Sequence, residues 1–168
     1  LEFRRVLFRS DVAYSVNMSD ATNITLNAIT NALGARAFFT TNIPAPSYGP
    51  APLGAPQPGT TVRLHPAHNV VMGNAFWRDG ELWFCNNVSP TNDPLRTVTR
   101  WYRLDVGGFP NGKASLAEWG DLDGGANTWH NHPAIGGNAR GDVCVAYTQS
   151  SSNQFTSIRA SKIGRAHV

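Results

Sequence analysis

The residues best suited to chemistry lie in the stretch Thr128-Trp129-His130-Asn131-His132-Pro133. Side chains at i and i+2 of a strand share a face, so His130 and His132 are expected to point the same way. Two neutral imidazoles side by side can ligate a transition metal. His65 and His68, in His-Pro-Ala-His, could complete a set. No carboxylate or cysteine stands beside them at a ligand spacing, so no metal is expected. The histidines are read instead as binding or hydrogen-bonding side chains. Trp129 supplies an aromatic surface for a sugar ring or a protein side chain. The candidate binding set is therefore Trp129, His130, His132 and His68, with no cofactor.

The carboxylates are less promising. Asp121, Asp123 and Asn127, in DLDGGAN, suggest an oxygen-rich calcium loop, but no distal bidentate glutamate follows. An Asp/Gly/Asn turn explains the same residues. A glycosidase needs two acids about 5–10 Å apart. Glu81 follows a hairpin turn and Glu118 lies mid-strand beside Trp119, so no pairing between them is expected. Ser150, Ser151 and Ser152 lack the context of a nucleophile elbow. No catalytic residue is assigned. Of the five tryptophans, Trp77, Trp83, Trp101 and Trp119 are expected in packing.

These residues need elements to hold them. The chain has 168 residues and a formal charge of +3. Its first ten residues, LEFRRVLFRS, resemble the in-frame translation of a common short-read sequencing adapter. The closing IGRAHV resembles the same kind of sequence read in the opposite sense. Leu1–Ser10 and Lys162–Val168 are therefore expected to be appended sequence, outside the fold. Without them nine basic residues face ten acidic ones, a net charge of −1. No basic stripe remains, so nucleic acid is not expected as a partner. No apolar run approaches the ~20 residues of a membrane span. Low charge with abundant Asn, Thr and Trp suits an extracytoplasmic protein.

Strands and turns dominate the remaining sequence, residues 11–161. NITLNAIT alternates apolar and polar positions, the period of a half-buried strand. ARAFFTTNI follows it. Residues 43–59 are dense in proline, which cannot donate to a ladder, and are expected to form an extended crossing anchored by Tyr48 and Leu53. NVVMGNAFW and ELWFCNNV flank Arg78-Asp79-Gly80, a hairpin turn in which glycine accepts positive φ. TVTRWYRLDV and SLAEWGDL complete a four-stranded meander. HPAIGGNARGDVCVAYTQSS then aligns with VMGNAFWRDGELWFCNNVSP. Val143 matches Leu82, Val145 matches Phe84 and Gly141 matches Gly80, and FTSIRAS provides a third strand. The predicted organisation is the end of one unit at 11–42, a connector at 43–59, a complete unit at 60–127 and a truncated one at 128–161.

NAFWRDGELWFCNNV, TRWYRLDV and HPAIGGNARGDVCVAYTQSSS together resemble bacterial secreted β-propellers of the sialidase-like, neuraminidase-repeat type. The resemblance spans Ile24 to Ser161. It implies an all-β fold, a β-propeller fragment of about two to three antiparallel four-stranded blades. DLDGGANTW resembles the family's Asp-box loosely, with Asp121 in the place of serine and Trp129 one position late. The arginine cluster, Tyr–Glu pair and acid Asp of sialidases match no motif here. The expectation is a non-catalytic extracytoplasmic module that binds a carbohydrate or protein ligand or serves as a scaffold. The alternative is part of a sialidase-like glycoside hydrolase whose catalytic residues lie in other blades. The repeat alignment sets Cys85 and Cys144 on equivalent faces of successive sheets, too far apart to bridge, and both are expected to be small buried hydrophobes.

Overall fold

The computed structural model describes residues 12–31, 34–49, 54–65, 71 and 75–163. They are all-β and antiparallel, with no helix among the described residues. None of them therefore forms a helix long and apolar enough to cross a membrane. The first sheet holds β1 (Val12–Asp20), β2 (Asn23–Thr30) and β3 (Ala37–Pro44). A two-stranded hairpin follows, β4 (Ala55–Gln57) with β5 (Thr60–Leu64). The middle sheet is a meander of β6 (Phe76–Arg78), β7 (Glu81–Val88), β8 (Val98–Asp105) and β9 (Ser115–Leu122). The third sheet holds β10 (Trp129–Gly137), β11 (Val143–Ser151) and β12 (Gln154–Ile163). Among the described residues only the middle sheet, where the complete unit was expected, has four strands.

The middle sheet is covered on both faces, and its alternation shows why. Leu82, Phe84, Tyr102 and Leu104 turn to the first sheet and meet Ile24, Leu26 and their neighbours. Trp83, Cys85 and Trp101 turn the other way, onto Ile135, Val143 and Val145 of the third sheet. A strand buried on both faces reads as a near-continuous apolar run, and β7 is buried from Leu82 to Val88. On the third-sheet side Phe76, Trp83 and Trp101 stack in a row, with centroids 6.1 and 5.8 Å apart. Two glycines admit that row. A Cβ on Gly120 would lie 2.9 Å from the Trp101 indole nitrogen, and one on Gly137 would lie 2.8 Å from the Phe76 ring.

Turn chemistry fixes the registers. Asp79 and Gly80 both have positive φ, 49° and 84°, as a type I′ two-residue turn requires. Its counterpart between β10 and β11 is longer. There the Asn138 side-chain oxygen accepts from the backbone N–H groups of Arg140 and Asp142, and Gly141 takes the positive φ. The Arg78 guanidinium donates to the carbonyls of Asn138 and Ala139, tying the two turns together.

The proline-rich stretch combines a crossing with a hairpin. Tyr48 donates to the Asp20 carbonyl, and Gly49 N–H donates to the Ser89 carbonyl. The Arg100 guanidinium donates to the carbonyls of Pro46 and Ser47. Further on, β4 pairs with β5 in spite of its proline. The paired residues are Ala55 and Gln57, with Pro56 between them, so the missing N–H is spared from the ladder. Leu53 lies outside the described residues, as do Leu1–Ser10. Lys162 and Ile163, expected outside the fold, continue β12 opposite Cys144 and Val143.

Burial separates positions that look alike in sequence. Phe84 is fully buried, whereas Ile158 is 81% exposed. Phe84→Ala should cost about 3–5 kcal/mol and Ile158→Ala well under 1 kcal/mol. Urea unfolding midpoints of the two variants would check this contrast.

Candidate functional site

The segment from Asp123 to Thr128 sets the chemistry-bearing end of β10. Asp123 accepts from Gly125 N–H at 2.8 Å, Gly125 and Asn127 take positive φ, and Thr128 N–H returns to the Gly125 carbonyl. This tight reversal lets β10 lie against β7 and β8 rather than extend the middle sheet. Thr97 then staples β10 to the start of β8. Its carbonyl accepts from His130 N–H at 2.9 Å, and its hydroxyl donates to the His130 carbonyl at 2.6 Å.

Sequence alternation fails here. His130 is 1% exposed and its ring lies on Tyr147, centroids 4.3 Å apart. His132 is exposed with φ of 50°. A bulge between Asn131 and Ala134 shifts the register, and the extra residue reverses which side faces the core. The two imidazoles therefore do not share a face. Trp129 is half-buried and donates through its indole N–H to the Leu95 carbonyl at 3.0 Å. His65 is exposed just beyond β5, and His68 lies outside the described residues.

An ion-paired brace surrounds this end. Arg96 donates to Asp93 at 2.6 Å and grips both oxygens of Asp123. The Arg96 guanidinium holds the Asp123 carboxyl below the usual carboxylate range. Asp121 is held separately by Arg100, at 2.6 and 2.9 Å. Asp121 and Asp123 thus serve different arginines and do not form a calcium loop. Among the described residues no cluster of His, Cys, Asp or Glu could hold a metal. Burial pushes the His130 ring below its ordinary pKa. The Leu122 carbonyl and the Gln149 side chain favour its charged form, but neither ring nitrogen closes a hydrogen bond of good geometry.

The two glutamates are brought together, contrary to expectation. Arg103 lies between them, 2.6 Å from Glu81 and 3.1 Å from Glu118. It also lies over the Trp83 ring, whose N–H donates to Glu81. Both carboxylates thus pair with one guanidinium. Ser150 is buried, while Ser151 caps the β11–β12 turn by accepting from Asn153 N–H. Trp83 and Trp101 pack between sheets as expected, but Trp77 and Trp119 are exposed. Trp119 lies under the Arg100 guanidinium, 4.6 Å from its carbon.

Sequence reasoning missed a polar half of the interface between the middle and third sheets. Thr97, Thr99, His130 and Asn131 are all buried there. The signal was present in ELWFCNNV and TVTRW, where Asn87 follows Trp83 and Thr97 and Thr99 precede Trp101 along the same strand face. No protein-family model, curated protein or solved structure matches the chain.

His130 makes stability depend on pH. The unfolded ring titrates near 6.5 and the folded ring lower, so the unfolded state binds more protons in between. Stability is full above pH 6.5 and falls as pH drops toward the folded value. Asp123 and Asp142, whose pKa values are lowered from 3.8, act only in more acidic solution. Urea midpoints between about pH 5 and 8 should decline toward acid. His130→Phe, which keeps a ring against Tyr147, should flatten that decline.

Proposed function

We propose that the chain is a segment of an extracytoplasmic β-propeller of the sialidase-like type, acting as a non-catalytic module that binds a glycan or protein ligand or serves as a scaffold. One observation carries this reading. Leu82 and Phe84 turn to the sheet that precedes theirs, and so do Val143 and Val145. Successive hairpins thus meet their predecessors through the same positions, as propeller blades do. The cysteines follow the same rule. Cys85 is buried between the middle and third sheets, while Cys144 is exposed on the far side of the third. The third sheet stands between the thiols. Burial pushes the Cys85 thiol up to about 12.

The carboxylates favour binding over catalysis. Asp93, Asp121, Asp123, Glu81 and Glu118 all lie in ion pairs with arginine. The half-buried Trp129, bonded to the main chain of the exposed Leu95, is the surface offered to a ligand, with the exposed His132 further along the same strand. On an immobilised panel of sialylated glycans, Trp129→Ala should weaken retention severalfold. Unchanged retention would remove this surface from the reading.

Stacking also predicts how the third sheet behaves. Its outer face presents Ala134, Gly136, Cys144 and Ala146, around an open trough. Such a face should bind a hydrophobic dye and promote self-association. Ala146→Arg should suppress both in fluorescence and sedimentation measurements. A wild-type chain that stays monomeric and dye-free would count against the stacked-blade reading.

A further inference from the structure

Among the described residues β12 is an open edge. The middle sheet runs β6-β7-β8-β9, and the third sheet, β10-β11-β12, has no counterpart of β9. β12 holds ten residues, with no proline among them. An edge strand presents a row of backbone N–H and C=O groups that can pair with another strand. Its counterpart β8 shows what belongs there. The repeat that matches Leu82 with Val143 also matches Glu81 with Asp142, Trp83 with Cys144 and Asn86 with Tyr147. Arg103 stands opposite Trp83, and Arg100 opposite Asn86. In the third sheet Lys162 stands opposite Cys144, and Arg159 opposite Tyr147. The two bases of β12 therefore occupy the register positions of the two bases of β8.

The carboxylates show what is missing. Arg103 has two, Glu81 from its own hairpin and Glu118 from β9. Lys162 keeps the first of these, through Asp142 at 2.7 Å, and among the described residues has no second. Arg100 is held by Asp121 of β9. Arg159 is exposed and meets no carboxylate among the described residues. Each base thus lacks one partner, and each time it is the one that a fourth strand brings. Glu118 and Asp121 stand directly opposite Arg103 and Arg100. Three residues apart, they serve opposite faces of the sheet. We infer that the edge of β12 docks an acidic extended peptide segment. The segment adds antiparallel as a fourth strand and sets two carboxylates, three residues apart, opposite Arg159 and Lys162. Backbone pairing supplies affinity and the charges fix the register. A second copy is a poor occupant. β12 has no Asp or Glu, so β12 laid on β12 brings cations together without an acid between them. The site rests on the sheet repeat used in the reading above, and it is separate from Trp129 and from the outer trough.

Fluorescence anisotropy of a labelled peptide of the β9 sequence, SLAEWGDL, titrated with the full chain tests the site. The wild type should bind it, and added salt should weaken binding. Arg159→Glu should weaken it about fivefold. The same peptide carrying Glu118→Lys and Asp121→Lys should bind the wild type poorly and bind the chain carrying Arg159→Glu and Lys162→Glu better. Both positions on β12 are exposed, and circular dichroism would check that the variants remain folded. N-methylation of one alternate set of peptide residues should abolish binding, because those N–H groups face β12. Binding that survives methylation of either set is charge attraction alone and overturns strand addition. Absence of saturable binding, no effect of Arg159→Glu, or equal binding of the acidic and basic peptides by the wild type would also overturn the site. None of these outcomes touches dye binding and self-association at the outer trough, so the stacked-blade reading stands or falls separately.

Discussion

Covering the middle sheet on both faces is the constraint from which the rest follows. A half-buried sheet needs one apolar face, but β7 and β8 must satisfy two different neighbours at once. Alternate residues therefore belong to different cores. Phe84 stacks on Tyr102 toward the first sheet, 4.7 Å between centroids, while Cys85 and Trp101 face the third. A one-residue slip of register would exchange the two sets. The type I′ turn at Asp79 and Gly80 holds the β6–β7 register against such a slip, and the Arg78 latch aligns the third sheet with it.

The arginines of β8 solve a second problem that double burial creates. Arg100 is 4% exposed, and a lone charge there would be costly. Asp121, the Trp119 ring and two carbonyls of the proline-rich crossing surround it. A buried ion pair adds little net stability over an apolar pair, but breaking it leaves a charge stranded. Its effect here is geometric. It fixes β9 beside β8 and fastens the crossing over the edge of both sheets. Arg96 does the same for the turn into β10, through Asp93 and Asp123. The end that carries Trp129 and His130 is therefore positioned by ion pairs, and the opposite end by aromatic stacking.

Much of this was legible in the sequence, and the reasons differ by element. β7 and β9 match the stretches ELWFCNNV and SLAEWGDL because clear turn residues bound each run. The matched pairs Leu82/Val143 and Phe84/Val145 face as the repeat requires, since their alternation is uninterrupted. The bulge at His132 was invisible, because positive φ at a histidine leaves no compositional mark. β1 went unnoticed, although Val12, Tyr14, Val16 and Met18 alternate toward the core. The hairpin of β4 and β5 was hidden by its prolines, which fall where the ladder does not need them. The glutamates' shared partner could not be read at all, since Arg103 reaches Glu81 and Glu118 across strands 22 and 15 residues away in sequence. The expectation that Cys144 is buried failed because it assumed a covering sheet that the described residues do not include.

The two outermost faces also limit how copies of the chain can meet. Head-to-tail stacking would lay Ala134, Gly136 and Ala146 against the polar cross-strand rows of Thr25 with Asn42 and Asn27 with Thr40 on the first sheet of the next copy. The small side chains offer no donors or acceptors, so those rows would lose water and gain nothing. An open filament of stacked copies is therefore disfavoured, although its contacts would be heterologous and would not close on themselves. Two copies could still pair through their third sheets, where the faces are alike. Lys162 and Asp142, paired at 2.7 Å, line the rim of that face and would have to keep their charge in water. The pairing is then confined to the small-residue centre, an area suited to an opposing sheet with bulkier side chains. The apolar face thus selects a partner built like the middle sheet, with residues such as Leu82 and Phe84 to fill what glycine and alanine leave open.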